Sequence, residues 1–250
     1  MSRASLNGHD HIVAELLAKN APVDQVMGDG ETALMWASMN GHRAVAGRLL
    51  KHGADVNQEK ADGVTALMWA ARNGHASVVV ELLDGGAQVN HAMQDGDTAL
   101  MWASLNGRRQ AVSDLLARGA TINQATRNGS TALIMASLNG HVQVVSELLE
   151  QGASVSDAAA DGFTSLMWAS LNGHKSVVLE LLRYGAAVNQ AREDGVTALI
   201  WASQNGHKDV IQVLLDAGAD ASQSTANGCS ALTMASSRQD MEILELLSVN

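Results

Sequence analysis

Asp62-Gly63-Val64-Thr65-Ala66-Leu67-Met68-Trp69-Ala70-Ala71-Arg72-Asn73-Gly74-His75 is the stretch whose reading decides the fold. Its turn glycine recurs at Gly30, Gly63, Gly96, Gly129, Gly162, Gly195 and Gly228, a constant step of 33 residues. Self-similarity at one fixed period of that length is the mark of a stacked array of small units. It predicts a solenoid rather than a closed globule.

Within the stretch each residue type has a physical reading. Asp62-Gly63 is a turn pair, with the glycine where φ is positive. Thr65 stands where a hydroxyl can cap a first helix, and Thr32, Thr98, Thr131, Thr164, Thr197 and Ser230 repeat it. Gly74 stops that helix after about two turns. His75 then opens a second helix carrying Val78, Val79, Leu82 and Leu83. That apolar arc is too broad for one partner to cover, so neighbours on both sides must cover it.

The unit resembles the ankyrin repeat, which pairs a β-turn with two short antiparallel helices. The family writes D-G-x-T-P-L-H-x-A-A-x-x-G-H, then an apolar helix, then G-A-D-V-N. Gly53-Ala54-Asp55-Val56-Asn57 matches that last piece in full; Gly86–Asn90 and Gly185–Asn189 match it loosely. The resemblance covers nearly the whole chain and implies an all-α ankyrin-repeat solenoid of about eight repeats. Eight stacked helix pairs would make an arc roughly 70 Å long at 8–10 Å between packed helices.

Two departures from the family stand out. Its proline is replaced by Ala33, Ala66, Ala99, Ala132, Ser165, Ala198 and Ala231, a change of small cost because proline at the first helical position is favoured, not required. Its histidine, which ties adjacent turns by hydrogen bonds in the family, is replaced by Met35, Met68, Met101, Ile134, Met167, Ile200 and Thr233. Flexible apolar packing would have to substitute, so the turns are expected to be held more by burial than by polar ties.

Residues 1–25 read as a partial first unit. Six full units begin near residues 29, 62, 95, 128, 161 and 194, and a final unit spans 227–250, the whole forming one array over 1–250. In the final unit Arg238-Gln239-Asp240 replaces Asn-Gly-His. There Ile243, Leu244, Leu246 and Leu247 are expected to leave apolar surface at an uncapped end.

Composition narrows the function. The single cysteine, Cys229, allows neither a disulfide framework nor a zinc-ligand spacing, and a reducing, cytoplasmic setting fits it best. No apolar run approaches the ~18 residues of a membrane span, and the start carries no secretory signal. A formal net charge of −10 argues against nucleic acid and leans weakly toward a basic partner; solubility explains the same excess.

The first helix carries the residues of interest. At ~100° per residue, Leu34, Ala37 and Ser38 share the core arc, and Trp36 and Met39 lie opposite. Repetition turns these into two rails on the concave face. One is Trp36, Trp69, Trp102, Met135, Trp168, Trp201 and Met234; it holds all five tryptophans and reads either as contact surface or as packing between repeats. The other is Met39, Arg72, Leu105, Leu138, Leu171, Gln204 and Ser237, where an exposed apolar strip would call for a partner. A second candidate surface is the row of turn tips, where Glu31, Val64, Asp97, Ser130, Phe163, Val196 and Cys229 vary freely. Phe163, the only phenylalanine, is the tip least suited to water.

Nothing in the pattern carries catalysis, a metal or a cofactor. The glycine–histidine residues His9, His42, His75, His141, His174 and His207 stand one repeat apart, too far to share an ion, and read as helix-start residues. The glycines follow the repeat and make no phosphate loop. Asn57 lies in a segment resembling one that an asparaginyl hydroxylase modifies in some ankyrin repeats; as a loop residue it is equally well explained. The functional expectation is therefore a non-catalytic, monomeric module binding another protein. The alternatives are repeats excised from a larger enzyme, an engineered binding scaffold, or self-association through the ends.

Overall fold

The structure, a computed structural model, describes residues 1–248; the last two residues of the final unit lie outside the described residues. Two compact units emerge, Met1–Gln124 and Ala125–Asn250. The first contains α1 (Ser2–Leu6), α2 (Asp10–Ala18), α3 (Ala33–Met39), α4 (Arg43–Lys51), α5 (Ala66–Asn73), α6 (Ala76–Asp84), α7 (Ala99–Leu105) and α8 (Arg109–Ala117). The second contains α9 (Ala132–Leu138), α10 (Val142–Glu150), α11 (Ser165–Leu171), α12 (Lys175–Arg183), α13 (Ala198–Asn205), α14 (Lys208–Asp216), α15 (Ala231–Arg238) and α16 (Met241–Ser248). The eight helix pairs follow the 33-residue period read from the glycines.

Every first helix from α3 onward starts on the hydroxyl assigned to it. Thr32 Oγ1 accepts from the Met35 amide at 3.2 Å, and Thr65, Thr98, Thr131, Thr164, Thr197 and Ser230 repeat the bond. In the final unit Thr233 stands where the family has histidine, and it answers Ser230 with a reciprocal bond that completes a capping box. In three repeats the acid before the turn glycine builds the turn: Asp62, Asp161 and Asp194 accept from the amides of Val64, Phe163 and Val196. Single antiparallel bridges, such as Ala92 to Thr98 and Ala158 to Thr164, close the hairpins.

Within each unit, first helices pack on first helices and second on second. Val78, Val79 and Leu82 are fully buried on α6, as are Val177, Val178 and Leu181 on α12. Burying such a side chain contributes about 1.5–3 kcal/mol, and most of it is made between repeats. The residues in the lost histidine position (Met35, Met68, Met101, Ile134, Met167 and Ile200) are buried, as the sequence reading requires.

Burial is not the whole account, however. In the first unit the Ala61 amide reaches the Asp29 carbonyl at 3.1 Å, and His91 Nε2 reaches the Gly63 carbonyl at 2.9 Å. Asn57 Oδ1 accepts from the Gln88 amide at 2.8 Å while its Nδ2 donates to the Gly86 carbonyl at 3.2 Å. Asn189 makes the same pair of bonds to Asp220 and Gly218 in the second unit. Polar ties have moved from the missing histidine to other positions; they have not gone.

The final pair also differs from expectation. Ile243 and Leu247 are buried, and Leu244 and Leu246 are half-buried. The apolar surface there comes from Met241, 73 % exposed, and Leu232, 44 % exposed. Gln239 supplies the missing glycine's conformation at φ +58°.

Candidate functional site

The residues that escape the core are those placed opposite it. On α3, Leu34, Met35, Ala37 and Ser38 are buried, whereas Trp36 and Met39 are half-buried. The same division holds for Trp69, Trp102, Trp168 and Trp201, each half-buried. The second rail is more varied. Arg72 and Gln204 are exposed, while Leu105, Leu138 and Leu171 are half-buried rather than the open strip the sequence suggests.

In the first unit this face is organised around Arg72. The Trp69 and Trp102 rings meet edge-on, with centroids 5.7 Å apart and planes at 68°. The Arg72 guanidinium carbon lies 5.4 Å from each ring centroid. Trp69 and Arg72 are three residues apart on α5 and so share a face, and Trp102 reaches the pair from α7.

In the second unit the corresponding space is filled from the turn. Phe163 stacks on Trp168 at 4.3 Å and on Trp201 at 5.5 Å, with Arg192 over its ring at 4.5 Å. Phe163 is thus only 6 % exposed, and Val64, its counterpart in the first unit, only 2 %. Both were expected to present themselves to a partner at open tips. They are instead buried, and Phe163 is covered because its ring lies against the tryptophans of its own repeat and the next.

The remaining tips are half-buried. Glu31 pairs with Lys60 at 3.7 Å, and Lys60 also reaches Asp62. Asp97 occupies the slot that holds Val64 and Phe163 in their repeats. Burial, followed by the charge of Asp95 and a hydrogen bond with it, pushes the Asp97 carboxyl above the ordinary aspartate value.

One constellation was not legible as a unit in the sequence. On the second rail Met39, Arg72, Leu138, Leu171 and Gln204, and Leu6 in the equivalent place of the partial first repeat, offer a backbone carbonyl to the next repeat. His42 Nε2 lies 3.0 Å from the Leu6 carbonyl, His75 Nε2 3.0 Å from that of Met39, His174 3.1 Å from that of Leu138 and His207 2.9 Å from that of Leu171. A carbonyl only accepts, so Nε2 carries the proton in each. Where histidine is replaced, Arg108 Nε donates to the Arg72 carbonyl, and Arg238 Nη1 donates to that of Gln204. The period of these residues was the only signal available, and it revealed that they repeat but not what they hold.

Among the described residues no group of three or more His, Cys, Asp or Glu side chains could hold a metal ion, and no helix is long and apolar enough to cross a membrane. Asn57 is half-buried with both side-chain amide atoms hydrogen-bonded across repeats.

Stacked helix pairs with capped first helices, hairpin tips and a half-buried aromatic rail define a helical repeat protein. The chain belongs to the ankyrin-repeat family: the model of that family, described as ankyrin repeats in three copies, matches residues 1–60, 49–126, 114–192 and 166–250. Among solved structures it is similar to the ankyrin repeat domain of human ASB11, at 29 % identity and a TM-score of 0.81. That match covers 88 % of this chain and 97 % of the other. Comparison with curated proteins gave no match. Ankyrin repeats are in general protein-interaction modules.

Proposed function

We propose that this chain is a non-catalytic protein-binding module whose contact face is the pair of rails on the first helices. The observation that carries this reading is the position of the five tryptophans. Each emerges from a capped, rigid helix and is half-buried, so it offers apolar area with little conformational freedom left to lose. Tryptophan and arginine are the side chains most often found to dominate binding energy, and Arg72 stands among them. Leu105, Leu138 and Leu171 extend the apolar surface, with Met39 and Gln204 on the same rail. The same reading assigns the protein to the cytoplasm, where its one unpaired cysteine is at home, and to a monomeric state.

The test is the triple change Leu105→Glu, Leu138→Glu and Leu171→Glu. Far-UV circular dichroism and thermal melting should stay close to those of the parent, because none of the three is in the buried core, while partner binding is lost. Loss of helicity instead would show that the leucines hold the stack together, and the rail would have to be abandoned as a contact surface.

A further inference from the structure

The charge on the proposed face has the opposite sign to the charge on the protein. The chain carries 26 acidic and 16 basic residues. Yet in the first unit the two rails run Arg3, Trp36, Trp69, Trp102 and Leu6, Met39, Arg72, Leu105, with two arginines and no acid. Arg3 takes the place in the partial first repeat that tryptophan takes in the next three. The arrangement of Arg72 is more specific still. Its guanidinium is held against two indole rings, which fixes the side chain without engaging its N–H donors in the ring plane.

Acids are plentiful in the chain, and several of its cations find them, though among the described residues Arg3 on the same face does not. Arg48 grips Asp10 through two bonds of 2.7 Å, Arg43 meets Glu81, Lys60 meets Glu31, and Arg118 meets Asp84. Among the described residues Arg72 has no carboxylate within ion-pair distance, although it is exposed and pinned by aromatic rings. A guanidinium fixed by stacking and left with an open fork suits a planar carboxylate.

We infer that the first-helix face of the first unit takes an acidic peptide segment. In this arrangement an aspartate or glutamate pairs with Arg72, and a neighbouring apolar side chain lies on Trp102 and Leu105. The inference rests on the proposed contact face and adds to it the chemistry of the occupant. It reverses the preference for a basic partner that the net charge suggests. Net charge acts at long range and is screened beyond about 8 Å at physiological salt, whereas the pairing at Arg72 is made in contact.

The test uses the full chain and a displayed library of random peptides as the probe, with Arg72→Gln, Arg72→Glu and Leu105→Glu variants checked for parental helicity. Selected peptides should be enriched in Asp or Glu beside an apolar residue and should bind Arg72→Gln about tenfold or more weakly. Selection on Arg72→Glu should turn the enrichment to Lys or Arg. Peptides that lose binding to Leu105→Glu but show no acidic enrichment and ignore Arg72→Gln would overturn the carboxylate pairing and leave the face intact. Peptides indifferent to all three variants, or a failure to select any, would overturn both. A labelled single-stranded RNA retained by the parent and lost with Arg72→Gln would also overturn the inference, as would a second copy of the chain held in the same way.

Discussion

The Phe163 ring lies 4.3 Å from that of Trp168, with the two planes 23° from parallel. A residue at the tip of a hairpin is therefore part of the packing beneath the first-helix face, and it reaches across to Trp201 in the following repeat. These two contacts tie the turn, the helix it precedes and the next repeat along.

Removing that ring should be felt by the stack as a whole. Phe163→Ala is expected to lower unfolding stability by about 3 kcal/mol, the usual cost of deleting a buried phenylalanine side chain. Phe163→Val should cost less, because Val64 fills the same position in its own repeat. Urea titration followed by tryptophan fluorescence would measure both, and an unchanged midpoint for Phe163→Ala would show that the stack contributes nothing.

The bond from His75 to the Met39 carbonyl gives a second prediction. His75→Ala leaves that carbonyl without its inter-repeat donor and should cost about 1 kcal/mol. His75→Arg should recover most of the loss, since Arg108 makes the equivalent bond natively. Thermal melts of the pair of variants decide it. Equal destabilisation by alanine and arginine would mean the imidazole acts by its shape. It does fit closely: a Cβ at Gly41 would stand 2.6 Å from His75 Nδ1, so Gly41 is needed for clearance as well as for its φ of +76°.

Asp97 predicts a pH dependence of defined sign. Burial raises its carboxyl above the ordinary value of 3.8, and Asp95 adds to the shift. Ionisation is thus harder in the folded protein than in the unfolded chain. The group's favourable contribution is complete below the ordinary value and is lost as pH rises through the elevated one. Asp97→Asn should therefore raise the melting temperature at pH 7 and do so less at pH 3. An equal gain at both would remove the carboxylate from the explanation.

Ser38, Ser104, Ser137, Ser170 and Ser203 are fully buried, and among the described residues their hydroxyls find no partner. Ala71 occupies the same position in its repeat. Ser104→Ala removes an unsatisfied buried polar atom and should stabilise the protein by up to about 1 kcal/mol. A loss of stability on calorimetry would show that the hydroxyl is engaged after all.

Much of the fold was legible because the repeat writes its own secondary structure many times over. Thr65 and its equivalents announced the helix starts, and Gly63 the turn, through local rules that need no neighbours. The face opposite Leu34, Ala37 and Ser38 followed from helical periodicity alone. The tips did not follow. Val64 and Phe163 stand beside a turn in sequence, where exposure is the ordinary expectation, and nothing local says that the hairpin buries both and seats Phe163 on Trp168. The end of the chain misled for a related reason, because Ile243 and Leu247 are covered from α15 and α14, elements the local pattern does not rank by proximity.

The sequence by itself determined the period, the helix pairs, the caps and the identity of the side chains on each rail, since these depend on backbone geometry within one unit. Only the tertiary structure decided which of those side chains meet. The edge-on contact of Trp69 with Trp102, the Arg72 guanidinium held by both, and the seating of Phe163 on two tryptophans all join residues from successive repeats. Such contacts depend on how far one repeat is rotated against the next, a quantity set by the packing of the whole interface and written in no single residue.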